Sequence, residues 1–277
     1  MTVEELIVYG KKFVHSTHAK MLLADLLEVN SLELLNYLDK KVDQDIIELY
    51  KKKIESLRQN KPIQYVIGNV NFYGNKFIVN ENTLIPRFET EELVENTLNL
   101  IEEVFLNKNL KLIDLGTGTG CIGITLKKKI PSLNVTLVDI SPKALKVAQE
   151  NAKNLETEVT LIENDMLEGL NEKYDIIISN PPYIKDNEGI EDIVKNNEPH
   201  LALYAGIDGL DCYRKILKQA QNCVNKNFLI AFEIGETQKD DIISLAKNTF
   251  PQATIISKKD MQDRDRMIFI YQKDSNY

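Results

Sequence analysis

The chain has few cysteines, few histidines and no excess of positive charge. Cys121, Cys212 and Cys223 are its three cysteines in 277 residues, and none lies in a C-x-x-C pair. An odd number leaves at least one without an intrachain partner. That argues against a disulfide framework and for free thiols in a reducing cytoplasm. His15 and His18 lie three apart on a helical stretch with no third ligand nearby, so no metal site is expected. No apolar run approaches the roughly 18 residues of a membrane span. The opening Thr2-Val3-Glu4-Glu5 has acids where a signal peptide carries bases. Forty-two acidic residues against 34 basic ones give a formal net charge of −8. A protein that held nucleic acid through its phosphates would usually be basic, so the balance favours a protein or small-molecule substrate.

What is present suffices for a sizeable core. Apolar residues make up 43% and charged residues 27%, an ordinary globular balance, and the length suits one large domain or two ordinary ones. The first 60 or so residues read as helices. Thr2 with Glu5 forms a capping-box pattern, and apolar sets follow at Leu6, Ile7, Phe13 and Val14, at 19–27 and at 32–38. Asp43 stands as cap of a segment with Ile46, Ile47, Tyr50, Ile54 and Leu57 on one face, and Pro62 is expected to close the bundle. Alternation at Val70, Phe72, Phe77 and Val79 around Tyr73-Gly74-Asn75 predicts a β-hairpin. A helix is expected from about Thr90, with Leu93, Val94, Thr97, Leu98 and Ile101 on its inner face.

From Lys111 on, strands and helices alternate. Strands are expected at 112–115, 134–139, 159–162, 174–179 and 228–233, with a terminal antiparallel pair at 253–257 and 267–271. Ser141-Pro142 supplies an N-cap and an N1 proline between two of them. The pattern predicts an α/β fold, a mainly parallel sheet wrapped by helices with its ligands beyond the carboxyl ends of the strands.

Two constellations carry chemistry. The first is Asp114-Leu115-Gly116-Thr117-Gly118-Thr119-Gly120, after a strand and before a helix. Its glycines allow a tight turn and close approach of a ligand to the backbone. Asp139 ends the next strand, nineteen residues after Gly120, where a carboxylate can accept both hydroxyls of a ribose. The G-x-G-x-G spacing departs from the dinucleotide pattern and offers no pyrophosphate site, which favours S-adenosylmethionine over a nicotinamide cofactor. After the third strand, Asp165 is placed to accept from an adenine amino group and Met166 to pack on its ring.

The second constellation is Ser179-Asn180-Pro181-Pro182-Tyr183, after the strand residues Ile176-Ile177-Ile178. Paired prolines cannot extend a central strand, and they hold a rigid loop at its end. The Asn180 side-chain oxygen and the Pro181 carbonyl can each accept one N–H of a planar primary amide, and Tyr183 can lie flat against it. Such a loop suits methyl transfer to an amino or amide nitrogen by positioning and electrostatic preorganisation.

At these residues the sequence resembles the release-factor glutamine N5-methyltransferase family, also called HemK or PrmC. The resemblance runs from about Ile63 to Met267. It rests on Gln64-Tyr65-x-x-Gly68, Phe72-Tyr73-Gly74, Leu84-Ile85-Pro86-Arg87-Phe88-Glu89-Thr90-Glu91 and the glycine turn. Val138-Asp139-Ile140-Ser141, the Asn180 loop, Glu198-Pro199, Asp208-Gly209-Leu210-Asp211-x-Tyr213-Arg214 and Glu233-Ile234-Gly235 complete it. Phe88 stands where the family usually has proline, Ala205 where it commonly has a glycine, and 263–266 lacks the family's late-hairpin glycine.

The resemblance implies a Rossmann-like class I methyltransferase domain over 86–277, preceded by a helical substrate-recognition domain over 1–67 and a β-hairpin linker over 68–85. Its implied cofactor is S-adenosylmethionine, held by Gly116, Thr117, Gly118, Thr119, Gly120, Asp139, Asp165, Met166 and Asn180. Its implied reaction is methylation of the glutamine of Gly-Gly-Gln in class I peptide chain release factors. Asn180, Pro181 and Tyr183 would be catalytic, and Asn180 to Tyr183, including Pro182, would bind the substrate. No membrane, metal or direct nucleic-acid partner is expected, and the cytoplasm is the expected location. A glutamine methyltransferase acting on a ribosomal protein is the nearest rival. An adenine-N6 nucleic-acid methyltransferase shares the N-P-P-Y tetrapeptide but lacks support from the charge. Arg87, Glu89 and Glu233 receive no role at this level.

Overall fold

Capping chemistry and apolar spacing organise the N-terminal helices, as seen in a computed structural model that describes residues 1–106 and 109–273. In α1 (Val3–Lys11), Thr2 Oγ1 accepts from Glu5 N at 3.2 Å while the Glu5 carboxylate accepts from Thr2 N at 3.0 Å. This is the expected reciprocal box. In α2 (Ser16–Leu26) the cap is His15, whose Nδ1 accepts from Thr17 N at 3.3 Å. That imidazole therefore serves a helix end.

Asp43 precedes α3 (Gln44–Arg58) as its cap residue, but its side chain makes no capping bond. The apolar set at 32–38 gives only a 3₁₀ turn, Glu33–Tyr37, which buries Leu34 and leaves Leu32 and Leu35 exposed. Pro62 does not end the bundle. It precedes a further helix, α4 (Ile63–Ile67), because a fixed φ suits a helix start; Gly68, at φ 96°, ends that helix.

Met1–Asn69 and Glu191–Asn197 make up one unit. Its core gathers Val3, Leu6, Ile7, Leu22, Leu23 and Ile54 with other apolar residues around the buried Tyr50. Tyr50 donates its hydroxyl to the Ala19 carbonyl at 3.2 Å. The short helix Asp192–Asn197 belongs here, and Asn197 Nδ2 donates to the Asn60 carbonyl at 2.9 Å.

The second unit comprises Val70–Ile190 and the chain from Glu198 onward. Near its start, β1 (Asn69–Phe72) and β2 (Asn75–Ile78) form the hairpin. Tyr73 and Gly74 both adopt left-handed φ, 48° and 75°, the signature of a tight two-residue turn. Then follow α5 (Phe88–Val104), β3 (Lys111–Leu115), α6 (Cys121–Lys129), β4 (Asn134–Asp139), α7 (Pro142–Asn154), β5 (Thr160–Glu163) and β6 (Tyr174–Ser179). The chain continues with α8 (Asp211–Cys223), β7 (Val224–Glu233), α9 (Lys239–Thr249), β8 (Thr254–Lys259) and β9 (Asp265–Gln272). On α5 the buried face includes Leu100 and Val104, while Leu98 is half-buried.

Seven strands form one sheet in the order β5-β4-β3-β6-β7-β9-β8. The first five are parallel, and β9 runs antiparallel to both β7 and β8. Alternate residues of β6 enter opposite cores: Ile176 and Ile178 pack with Leu112, Leu229 and Phe269, and Ile177 packs with Ile113, Ile230 and Ile268. Burial on both faces explains the unbroken isoleucine run.

The first unit offers a sharp packing test at Gly10. Alanine in a helix interior ordinarily gains about 1 kcal/mol over glycine. A Cβ at Gly10 would lie 2.1 Å from Tyr50 Oη and 2.9 Å from Ala19 Cβ. Overpacking of that kind costs about 1–3 kcal/mol, so Gly10→Ala should destabilise this unit in urea unfolding of the full chain. A raised midpoint would mean that the helices part easily.

Candidate active site

The glycine turn closes between β3 and α6 through bonds of its own. Thr117 N donates to the Val138 carbonyl at 2.9 Å and Gly120 N to the Thr117 carbonyl at 2.8 Å. Gly116, Gly118 and Gly120 have φ of 66°, 55° and 79°. A Cβ at Gly116 or Gly118 would meet open space, whereas one at Gly120 would come within 2.7 Å of Ile124 Cδ1. The first two glycines thus leave a cradle open and the third permits close packing. Thr117 and Thr119 are buried beside them.

Two carboxylates brace the turn. Asp114 Oδ2 accepts from Thr117 Oγ1 at 2.6 Å and from Gly123 N at 3.1 Å. Asp114 Oδ1 is buried without a donor. Burial pushes the Asp114 carboxyl up to about 6, against the pull of those two donors. Asp139 ends β4 and accepts from Gly118 N and from Ser141 N, each at 2.9 Å. Burial raises its pKa, and the backbone donors at Ser141 and Gly118 oppose the shift. A carboxylate offers about four acceptor sites, so two remain for a ligand.

Asn180 follows β6, the strand beside β3. Leu115 and Ser179 are register partners, and Ser179 Oγ donates to the Leu115 carbonyl at 2.7 Å. This bond places the proline loop at the same sheet end as the glycine turn. Asn180 Nδ2 donates to Thr90 Oγ1 at 3.2 Å, and Thr90 Oγ1 donates to Glu233 Oε2 at 2.7 Å. Burial pushes the Glu233 carboxyl up to about 7, opposed by the Thr90 hydrogen bond and the Arg266 charge.

Gln238 holds the loop from the other side. Its Nε2 donates to the Tyr183 carbonyl at 2.9 Å and to the Gly209 carbonyl at 3.1 Å. A Cβ at Gly209 would stand 2.4 Å from Tyr183 O, so only glycine fits. Burial pushes the Tyr183 phenol up to about 12. Pro181 is buried, and Pro182 is half-buried between it and Tyr183.

The loop after β5 reaches this region through Asn164 N, which donates to the Asp139 carbonyl at 3.1 Å. Met166 has a left-handed φ of 55° and packs half-buried on the core. The Asp165 carboxylate is half-exposed and ion-paired to Lys215 of α8, which also pairs with Glu168 at 3.1 Å.

The sequence reading assigned nothing to Thr90 beyond the start of a helix, which begins two residues earlier at Phe88, and nothing to Glu233, Gln238 or Asn151. Asn151 is buried in α7. Its Nδ2 donates to the Ile78 carbonyl at 3.0 Å and the Thr119 carbonyl at 2.9 Å, and its Oδ1 accepts from Ile78 N at 2.6 Å. Thr90 and Glu233 stood inside blocks that carry the family resemblance, which was their only signal. Arg87 forms an ion pair with Glu198, whose other oxygen accepts from Ile85 N at 3.2 Å. That assigns both residues to holding the segment ahead of α5.

Among the described residues no cluster could hold a metal ion, and no helix is long and apolar enough to cross a membrane. Residues 87–202 match the Methyltransferase small domain family and residues 15–68 the PrmC N-terminal domain family. A release factor glutamine methyltransferase of Bacillus cereus is 37% identical over 279 residues, covering 97% of this chain and 99% of its own. One of Flavobacterium psychrophilum is 44% identical over 237 residues, covering 83% and 82%. Among solved structures, a T. thermophilus 16S rRNA N2 G1207 methyltransferase in complex with AdoMet and guanosine aligns with a TM-score of 0.53 at 14% identity. The alignment covers 74% of this chain and 50% of that one, and the likeness is one of fold.

The raised carboxyls set a pH dependence of stability. Asp114 at about 6 and Glu233 at about 7 stand above their ordinary values of 3.8 and 4.5. Between those limits the folded chain keeps protons that the unfolded chain has released. Stability therefore falls as pH rises through that window. Thermal unfolding should show Tm declining from about pH 5 to about pH 7.5, and Glu233→Gln should flatten the upper part of the decline. A variant that tracks the wild type throughout would show that Glu233 titrates normally.

Proposed function

The chain belongs to the release factor glutamine methyltransferase family, and on that premise we propose that it transfers a methyl group from S-adenosylmethionine to the side-chain N5 of the glutamine in Gly-Gly-Gln of class I peptide chain release factors. The observation that carries the reading is the Ser179–Leu115 bond, which sets the Asn180 loop beside the glycine cradle.

The residues present fit this cofactor. Gly116 and Gly118 leave open space, Asp139 keeps free acceptor sites, and Asp114 Oδ1 is a buried acceptor without a donor. Gly116, Thr117, Gly118, Thr119, Gly120, Asp139, Asp165, Met166 and Asn180 would hold it. When bound, S-adenosylmethionine supplies an electrophilic methyl group. The chain's own work is to position the acceptor nitrogen. Asn180 Oδ1 and the Pro181 carbonyl each accept one N–H of the glutamine amide, which draws electron density toward nitrogen. Pro182 stiffens the loop, and Tyr183 lies against the planar group. Its raised pKa keeps the phenol neutral at physiological pH. Orientation of this kind can be worth several kcal/mol, about 7–11 in favourable cases. The N-terminal unit serves recognition of the release factor, and the reaction takes place in the cytoplasm.

Two measurements test this reading. Asp139→Ala removes charge-assisted bonds worth about 1.5–3 kcal/mol each before compensation, so calorimetry should show weakened S-adenosylmethionine binding. Unchanged affinity in a folded variant would remove Asp139 from the site. Asn180→Ala should cost about 2–4 kcal/mol in transition-state stabilisation, chiefly in turnover on a release factor. A factor changed from Gly-Gly-Gln to Gly-Gly-Glu should go unmethylated. Efficient methylation of adenine in DNA or RNA would overturn the glutamine assignment.

A further inference from the structure

An asparagine side chain has donors at one end and an acceptor at the other, so Asn180 can accept from a substrate amide only one way round. Asn180 Nδ2 donates to Thr90 Oγ1 at 3.2 Å, and Thr90 donates in turn to Glu233 Oε2 at 2.7 Å. Asn180 also stands near enough to Glu233 to favour its ionised form. We infer that Thr90 and Glu233 are positioning residues for methyl transfer: the buried carboxylate fixes the direction of this hydrogen-bond chain and so turns Asn180 Oδ1 toward the substrate. The inference rests on the proposed role of Asn180 as acceptor.

The direction follows from the donor inventory. An ionised carboxylate only accepts. Thr90 has a single proton, and Glu233 takes it. Toward Asn180 the threonine oxygen can then only accept, so it must face Nδ2. Oδ1 is left for the substrate. Protonation of Glu233 reverses the logic. The acid can donate to Thr90, Thr90 can donate to Asn180, and the favoured partner becomes Oδ1. The flipped amide then presents N–H groups to a substrate that also brings N–H groups. Glu233 ionises in the range where this matters, because burial pushes it up to about 7.

The groups facing Glu233 come from every side. Arg266 of β9 favours the ionised form, and Glu89 of α5 opposes it. Tyr183 of the proline loop, Tyr213 of α8 and Cys121 of α6 are coupled to its charge, and all three are pushed upward and stay neutral near pH 7. Tyr213 donates its hydroxyl to the Glu233 carbonyl at 2.8 Å, which anchors the backbone and leaves the carboxylate to Thr90.

The test is steady-state methylation of a Gly-Gly-Gln release factor at saturating S-adenosylmethionine, between about pH 5.5 and pH 9. Wild type, Thr90→Val, Thr90→Ser and Glu233→Gln are compared. Wild-type kcat should fall on the acid side as Glu233 gains its proton. Thr90→Val should lower kcat by about tenfold or more and lose the acid limb, with KM for the factor held within about twofold. Thr90→Ser should restore both turnover and limb. Glu233→Gln, which cannot titrate, should flatten the limb. Wild-type kcat and pH profile in Thr90→Val, or an unchanged acid limb in Glu233→Gln, would overturn the inference while leaving wild-type activity standing. A wild-type protein that binds S-adenosylmethionine but leaves the glutamine unmethylated would overturn the proposed function, and the inference with it.

Discussion

The hydrogen bond from Ser179 Oγ to the Leu115 carbonyl is the join on which the site depends. It fastens together the last residues of β3 and β6, two parallel strands whose continuations diverge. After Leu115 the chain turns through glycines into α6 and on to β4 on one side; after Ser179 it stiffens into paired prolines. The strand order reverses direction at this seam, and crevices in open parallel sheets form at such switch points. Asp139, on the strand beyond β3, clasps Gly118 and so holds the glycine turn against β4. The glycine turn and the proline loop are thus two outputs of one strand pairing.

Around that seam the chain buries charge that an ordinary core would exclude. Asp114 and Glu233 are each almost fully enclosed, and Arg266 is buried with its ion-pair partner Asp260 at 3.0 Å. Each enclosed carboxylate costs free energy unless donors surround it. The donors here are specific: Thr117 and Gly123 for Asp114, Thr90 for Glu233, and Gln262 N, Arg264 N and Arg266 for Asp260. The unbroken apolar strands Ile176–Ile178 and Leu229–Phe232, buried on both faces, supply the stability that tolerates this polar seam.

Local chemistry was legible in the sequence, and long-range chemistry was not. Strands Asn134–Asp139 and Tyr174–Ser179 stand at their expected residues, because caps, prolines and apolar runs mark both ends. The Thr2–Glu5 box and the Ser141 cap formed for the same reason. The strand expected at 228–233 begins earlier, at Val224, where polar residues hide the pairing and its register with β6 shifts. The 32–38 segment had helical spacing but only one buried residue, too little to hold a full helix. Asn180 and Asp139 announced themselves through neighbours in sequence. Thr90, Asn180 and Glu233 meet across 90 and 143 residues, and a three-residue hydrogen-bond chain has no period to read.

Asn151 carries a different kind of consequence. Its amide grips both the N–H and the carbonyl of Ile78 in the hairpin, and with the same Nδ2 it reaches the Thr119 carbonyl in the glycine turn. Hairpins are usually places where a chain accepts inserted residues or exchanged turns cheaply. This one is keyed at Ile78 to the glycine turn, so a graft that slides β2 by one residue presents the wrong backbone atoms to Asn151 and loosens that turn as well. For anyone recombining parts among relatives, β2, α7 and the glycine turn form a single exchangeable module, and the boundaries for a chimera fall outside all three.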